Sequence, residues 1–297
     1  MINCQGERKN ATGEIRKVRR TSSRARRGRG ARHLFDCWPQ VVRALHSAPG
    51  FALFVDFDGT LVPLRERPTD VAPLDPSWRE ILRRLARCKG LTFYVISGRR
   101  LADLRKLVPV PGVRLLGLHG WEGRDAPPLD KERGVVRKAR QLLQQRLSKI
   151  PQIWLEDKGL GLAVHYRGAP PRSVRLARPI VLDVAKTLGP HIHIVPGEKL
   201  WEILPHQIDG KGSAIRALLS QKPPGTLPII VGDDVTDERA FAAVPHGLTI
   251  RVGRKLLTRA RYLLRDPEEV KLFLQELEVE IVCKLRNTPF ILSPRRT

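Results

Sequence analysis

From residue 51 the sequence alternates short apolar runs with amphipathic stretches, and this alternation restricts the fold more than any other feature. Three runs have the length of buried strands, namely Phe51–Asp56, Leu91–Ile96 and Val113–Leu118. Residues 75–88 place apolar side chains at helical spacing between the first two runs, and residues 100–108 form a shorter helical pattern before the third. Strands that alternate with helices are joined by right-handed crossovers, so the sequence predicts an α/β fold with a Rossmann-like parallel-sheet core.

The alternation stops in the middle of the chain and resumes later. Residues 119–205 contain two hairpin patterns and two long helical patterns, which is typical of a small α+β unit inserted into a larger domain. Strand and helix alternate again from Lys211. We therefore expect an inserted α+β cap domain. The predicted divisions are a basic tail (1–33), a catalytic core (34–118 and 206–285), the cap (119–205) and a loose C-terminal end (286–297).

The N-terminal segment carries much of the chain's positive charge. Residues 1–33 contribute +9 to a formal net charge of +24 and have few apolar side chains, so they are expected to be disordered. Three interpretations stay open: weak, nonspecific binding of polyanions such as nucleic acid, an organelle transit peptide, or a start codon assigned too far upstream.

Several classes of protein are excluded or disfavoured by composition. No run approaches about 18 consecutive apolar residues, which excludes a transmembrane helix and predicts no membrane partner. The four cysteines lack metal-like or disulfide-framework spacing, which favours a reduced, cytoplasmic protein. A nucleic-acid-binding protein with an idle core is an alternative that the charge permits, but zinc-finger, RNA-binding and zipper signatures are missing from the sequence.

Acidic pairs follow two of the predicted strands. Asp56 and Asp58 end the first, and Asp233 and Asp234 end the strand pattern over 227–231. Ligands of open α/β sheets bind beyond the carboxyl ends of the strands, so neighbouring strands would bring these carboxylates together. Such crowding of like charges needs a cation, and hard oxygen donors without His or Cys suit Mg²⁺.

Two further side chains fit the same site. Ser97 follows the second strand and can donate its hydroxyl hydrogen to a phosphoryl oxygen, while Lys211 opens a helix and can neutralise an anionic substrate. Together with Mg²⁺, a nucleophilic carboxylate and a second carboxylate for proton transfer, these groups predict phosphoryl transfer through an aspartyl-phosphate.

The motifs resemble those of a known superfamily. D-F-D-G-T-L (56–61), S-G-R (97–99), D-G-K-G (209–212) and G-D-D-V-T-D-E (232–238) are similar, in order, to the four motifs of the haloacid dehalogenase phosphatases. Finer signatures resemble the trehalose-6-phosphate phosphatase family: V-I-S-G-R, G-L-H-G-W-E, G-L-A-V-H-Y-R and P-G-E-K-L-W-E-I-L-P. The resemblance covers residues from about 50 to 275.

The resemblance implies a role for each matching residue. Asp56 would be the nucleophile and Asp58 the acid and base. Asp56, Asp233 and the Asp58 carbonyl would hold Mg²⁺, while Asp234 would either support these ligands without touching the metal or serve as an alternate ligand. Ser97 and Lys211 would hold the phosphoryl group. Substrate contacts are expected from Asp56, Phe57, Asp58, Arg99, Glu122, His165, Arg167, Lys199 and Glu202, where Glu202 could accept hydrogen bonds from two vicinal hydroxyls.

The implied reaction is Mg²⁺-dependent hydrolysis of trehalose 6-phosphate to trehalose and phosphate, in trehalose biosynthesis. The core motifs recognise only phosphate and metal, so another sugar phosphate of the sucrose or mannosylglycerate type stays open as substrate. A synthase that makes the sugar phosphate is expected as a separate chain.

Overall fold

The computed structural model describes residues 31–253 and 257–287. In that part the strands are β1 (Arg32–His33), β2 (Phe51–Val55), β3 (Leu91–Ile96), β4 (Arg114–Leu116), β5 (Trp154–Asp157), β6 (Leu162–His165), β7 (Ile192–Gly197), β8 (Leu200–Pro205), β9 (Leu227–Gly232), β10 (Leu248–Val252) and β11 (Tyr262–Leu264). The α-helices there are α1 (Trp38–Ser47), α2 (Pro76–Arg87), α3 (Leu101–Leu107), α4 (Asp130–Leu147), α5 (Pro171–Leu188), α6 (Lys211–Leu219), α7 (Val235–Ala243) and α8 (Pro267–Asn287).

The larger sheet confirms the predicted α/β class. Its seven strands run parallel in the order β1-β11-β10-β9-β2-β3-β4. All five residues of β2 are buried, as expected for a central strand covered on both faces. Alternate β2 side chains enter different clusters: Leu53 packs with α1, α2 and α8, whereas Phe54 packs with α6 and α7. Helices therefore cover both faces of this sheet.

The second sheet is separate and antiparallel. Its order is β5-β6-β8-β7, and α4 and α5 pack on it through apolar side chains such as Val136, Leu143, Val181 and Val184. This sheet and its two helices form the inserted α+β unit that the sequence predicts between β4 and α6. The exact predicted domain limits stay predictions.

Two terminal segments differ from the sequence prediction. Arg32–His33 was expected to belong to the disordered tail, but it pairs in parallel with β11. The rest of that tail, residues 1–30, lies outside the described residues. The predicted loose end at 286–297 overlaps α8, which continues to Asn287. Residues 288–297 lie outside the description.

Two predictions about composition can be compared with the structure. No helix within the described ranges combines the length and apolar character needed to span a bilayer. Cys37, Cys88 and Cys283 are free thiols, whereas Cys4 lies outside those ranges.

Candidate active site

The carboxyl ends of β2, β3 and β9 meet at one edge of the parallel sheet. Val55 of β2 is in register with Val95 of β3 and with Val231 of β9. Asp56, Ser97 and Asp233 follow these three strands, so all three side chains emerge at the same edge. This pairing confirms the expectation that the two acid-bearing strands are neighbours.

A cavity of about 130 Å³ lies between this edge and the second sheet. Most of the residues singled out from the sequence line it: Asp56, Asp58, Ser97, Arg99, His165, Arg167, Glu202, Lys211, Asp233 and Asp234. The structure therefore brings together side chains that are up to 178 positions apart in the chain, between the first and last of that set.

Three carboxylates cluster beside the cavity. Oxygens of Asp56, Asp233 and Asp237 all lie within 4.8 Å of one another. Lys211 Nζ lies between two of them, 2.8 Å from Asp56 Oδ1 and 2.9 Å from Asp237 Oδ1. The cluster thus contains three carboxyl groups and one buried ammonium group.

Burial and mutual repulsion change the acidity of these groups. Burial, followed in importance by Asp237, raises the pKa of Asp233 to about 7. Burial also raises the pKa of Asp56 well above its ordinary value, although Lys211 opposes the shift. Burial alone would lower the pKa of Lys211, but Asp237 and Asp56 outweigh it and raise that pKa. A divalent cation would relieve the crowding of the carboxylates.

The donor set fits a hard cation. All three clustered side chains offer oxygen, which Mg²⁺ prefers to nitrogen or sulfur. Gly59 allows the close approach: its φ is +81°, and a Cβ there would lie 2.1 Å from Asp233 Oδ2. Any side chain at this position would displace Asp233.

Asp234 lines the cavity beside the acidic cluster but is not one of its three members. Its carboxylate caps α7 by accepting the backbone N–H of Val235 at 2.6 Å, while Asp237 occupies the third corner of the cluster. Asp237 in turn accepts the N–H of Asp234 through Oδ2 at 3.1 Å. The acidic cluster therefore contains the fifth residue of the D-D-V-T-D run that starts at Asp233. Sequence reasoning missed Asp237 although the quoted motif contains it.

Arg99 holds Asp58 at the mouth of the cavity. The guanidinium donates from Nε and from NH2 to the two Asp58 oxygens, each at 2.7 Å. A third donor, NH1, binds the carbonyl of Pro68 at 2.9 Å. The pair fixes the orientation of Asp58, whose carboxylate keeps further lone pairs for other donors and is 29% exposed.

Glu202 of β8 is enclosed by two partners that sequence reasoning missed. Lys158 Nζ donates to Glu202 Oε1 at 2.6 Å and to the carbonyl of Gly98 at 3.0 Å. His119 Nε2 lies 2.5 Å from Glu202 Oε2. Burial raises the pKa of Glu202, but His119 and Lys158 outweigh it and hold that pKa well below its ordinary value. Because Gly98 and His119 follow core strands, this network ties the second sheet to the core.

Replacing Glu202 by Gln is expected to lower the free energy of unfolding by about 3 kcal/mol, because the buried Lys158 ammonium loses its counter-charge. Lys158→Met should cost a similar amount, and the double variant should cost clearly less than the sum. Urea denaturation measures all three. The exposed pair Arg146–Asp183 is the control, since its double-mutant cycle should give a coupling below about 1 kcal/mol. Additive losses at 202 and 158 would contradict the network.

Three predicted substrate contacts do not line this cavity. Phe57 is fully buried in the core. Glu122 accepts the backbone N–H of Leu101 at 2.6 Å and so caps the start of α3. Lys199 is exposed at the tip of the β7–β8 hairpin, where its φ is +63° and where Glu198 lines the cavity instead. These three side chains therefore lie outside the cavity lining.

His165 and Arg167 lie on the second-sheet side of the cavity. His165 stacks on Trp154 with ring centroids 3.8 Å apart, and its Nε2 lies 2.8 Å from Glu156 Oε2. Arg167 donates to the carbonyl of Glu198 at 3.0 Å. Both side chains therefore face the cavity from fixed positions.

Comparison with known proteins identifies relatives of the chain. A family model described as trehalose-phosphatase matches residues 54–260. The trehalose-phosphate phosphatase of Mycobacterium tuberculosis (strain ATCC 25618 / H37Rv) is 34% identical over 279 residues, which covers 84% of this chain and 67% of the relative. A probable trehalose-phosphate phosphatase of Sinorhizobium fredii is 36% identical over 215 residues, covering 68% of this chain and 78% of the relative. The solved C-terminal domain of C. albicans trehalose-6-phosphate phosphatase shares the fold, with a TM-score of 0.71 at 21% identity, and covers 81% of this chain and 96% of that one.

Proposed function

The chain belongs to the trehalose-phosphatase family and is a phosphatase, and from that premise we propose that it hydrolyses trehalose 6-phosphate to trehalose and inorganic phosphate. The observation that carries the proposal is the acidic cluster of Asp56, Asp233 and Asp237 around Lys211, at strand ends that open into a cavity roofed by the second sheet. That arrangement supplies a nucleophile, a cation site and anion-binding groups within one enclosed space.

In the proposed first step Asp56 attacks phosphorus. A bond forms between its carboxylate oxygen and phosphorus, the bond from phosphorus to the sugar oxygen breaks, and Asp58 gives that oxygen a proton. In the second step Asp58 removes a proton from water, the water oxygen bonds to phosphorus, and the Asp56–phosphorus bond breaks to release phosphate. Arg99 orients Asp58 through the bidentate pair, and an arriving phosphate offers the guanidinium a second anion.

Other groups hold the phosphoryl oxygens. Ser97 is buried at the end of β3, and Lys211 is buried at the first residue of α6, so both can donate without rearranging. Asp56, Asp233 and Asp237 are the side chains that would hold Mg²⁺, with the Asp58 carbonyl as a further predicted ligand. When bound, Mg²⁺ would neutralise charge that develops on the transferring group.

The size of the cavity bears on how substrate enters. At about 130 Å³ it is smaller than the about 300–1,000 Å³ that is usual for small-molecule sites. We infer from this size that the second sheet moves away from the core to admit a disaccharide phosphate. We propose that the sheet returns over the bound sugar and excludes water.

A panel of sugar phosphates tests the substrate. With Mg²⁺ present, trehalose 6-phosphate should exceed glucose 6-phosphate, sucrose 6-phosphate and mannosylglycerate phosphate in kcat/KM by at least about 100-fold, because unpaired hydroxyl contacts penalise the wrong sugar. Phosphate release measures each rate. A higher kcat/KM for another member of the panel would reassign the substrate within the same chemistry.

Removal of divalent metal is expected to reduce turnover below about 1% of its starting value, since three crowded carboxylates then repel the phosphate. Excess EDTA followed by added Mg²⁺ should abolish and then restore phosphate release, and Ca²⁺ should restore it poorly because it prefers more ligands at longer distances. Circular dichroism should not change with EDTA, which separates lost chemistry from lost fold. Undiminished turnover in EDTA would contradict a metal requirement.

A further inference from the structure

We propose that a second cleft, at the β4 edge of the parallel sheet, binds an organic phosphate of nucleotide size. The cleft has a volume of about 610 Å³ and shares no lining residue with the candidate active site. Its walls come from α3, β4, the segment that follows Trp121 and the C-terminal part of α6.

Three arginines from three elements line the cleft. Arg105 lies on α3, Arg114 on β4, and Arg124 on the segment that leads toward the second sheet. None of the three forms an ion pair with a carboxylate in the described part of the chain, whereas Arg100 nearby pairs with Asp103 at 2.9 Å. Three cationic side chains that line one cleft without carboxylate partners favour an anion bound between them.

Arg124 has an unsatisfied donor. Its Nε is buried and has no hydrogen-bond partner among the described residues, and its guanidinium lies 5.0 Å over the Trp121 ring. Burial lowers the pKa of Arg124, which reflects the cost of keeping this charge away from water without a partner. An anionic oxygen is the group that would satisfy both the charge and the free N–H.

The backbone holds Arg124 in place. The preceding Gly123 has φ +88°, and a Cβ there would lie 2.1 Å from the carbonyl oxygen of Leu115 in β4. The segment therefore packs directly on the edge strand, which itself pairs only with β3 among the described strands. Arg114 and Arg124 thus take their positions from a fixed backbone, and the cleft is formed before a ligand arrives.

The rest of the lining decides the kind of anion. The half-buried Leu101, Val113 and Leu115 contribute apolar surface, and Asp125 is the single acid of the lining. Arg114 lies 5.7 Å from the centre of the Tyr94 ring. The volume falls within the range of small-molecule sites and exceeds what inorganic phosphate fills. Phosphate oxygens on the arginines and an apolar body against these aliphatic side chains match the lining.

Calorimetric titration with ADP tests the proposal, with adenosine and inorganic phosphate as partial probes. The triple variant Arg105→Gln/Arg114→Gln/Arg124→Gln should weaken ADP binding at least about 30-fold, because charge-assisted hydrogen bonds are lost. Its control removes the same charge from the exposed Arg137, Arg172 and Arg175 and should weaken binding less than about twofold. Phosphatase activity of the first triple variant without ADP should match the wild type within about twofold.

Four outcomes would overturn the proposal: no ADP binding by the wild type, retention of binding in the first triple variant, equal loss in both triple variants, or binding of adenosine or phosphate as tight as that of ADP. If the first triple variant still binds ADP, then ADP binds elsewhere, including the active site. If both triple variants lose binding equally, the loss reflects a diffuse effect of net charge. If the triple variant does not fold, Arg114→Gln alone, at an exposed position, should weaken ADP binding about fivefold.

Discussion

Asp56→Asn is expected to lower kcat for trehalose 6-phosphate by at least about 10⁴-fold while the protein stays folded. An amide cannot attack phosphorus as a carboxylate does, so the proposed covalent step is lost. The fold should survive because Asn has nearly the same shape, Lys211 keeps its 2.9 Å contact with Asp237, and one charge leaves a crowded cluster. Phosphate release under saturating substrate measures the effect.

The matched control is Asp130→Asn, at a side chain that is 84% exposed at the start of α4. It makes the same chemical change far from the cavity and should keep kcat within about twofold. Thermal unfolding of both variants shows whether any loss comes from the fold. If folded Asp56→Asn retains more than a few per cent of turnover, Asp56 is not the nucleophile.

The sequence was sufficient to predict the parts of this molecule that depend on local pattern. The buried runs of β2, β3 and β9 are apolar throughout or nearly so, and parallel strands place their following residues at one edge. Asp56, Ser97 and Asp233 could therefore be assigned to one site without coordinates. The short pairing of β1 with β11 could not be predicted, because two or three residues give no periodicity to detect.

The contacts that sequence reasoning missed depend on geometry beyond one element. Asp234 caps the start of α7, and Asp237 follows in the first turn of that helix. There the Asp237 carboxylate accepts the Asp234 N–H and reaches the cluster. Lys158 and His119 reach Glu202 only because two sheets pack together, and His119 does so from a turn with φ +57°. Neither Lys158 nor His119 belongs to a periodic strand or helix pattern that would distinguish it from its neighbours.

Asp58→Asn is expected to lower kcat for trehalose 6-phosphate by about 10²–10⁴-fold, which is the usual contribution of a positioned acid or base. The loss on p-nitrophenyl phosphate should be at least about tenfold smaller for the first step, because nitrophenolate leaves without a proton. Asn is nearly isosteric with Asp and can still accept one hydrogen bond from Arg99, so the site should keep its shape. The values of kcat/KM on both substrates report the first step and give the comparison.

The same variant separates the two proposed steps. With p-nitrophenyl phosphate the first step stays fast, while attack by water on the Asp56 phosphate lacks its base, so phosphoenzyme should accumulate. Rapid mixing should then show a burst of nitrophenolate close to one equivalent per site, followed by a slow steady rate. Wild-type protein serves as the control, since its second step should not lag enough to give a burst of that size. Equal losses on both substrates without a burst would mean that Asp58 only positions Arg99, and proton transfer would then belong to another group of the cavity.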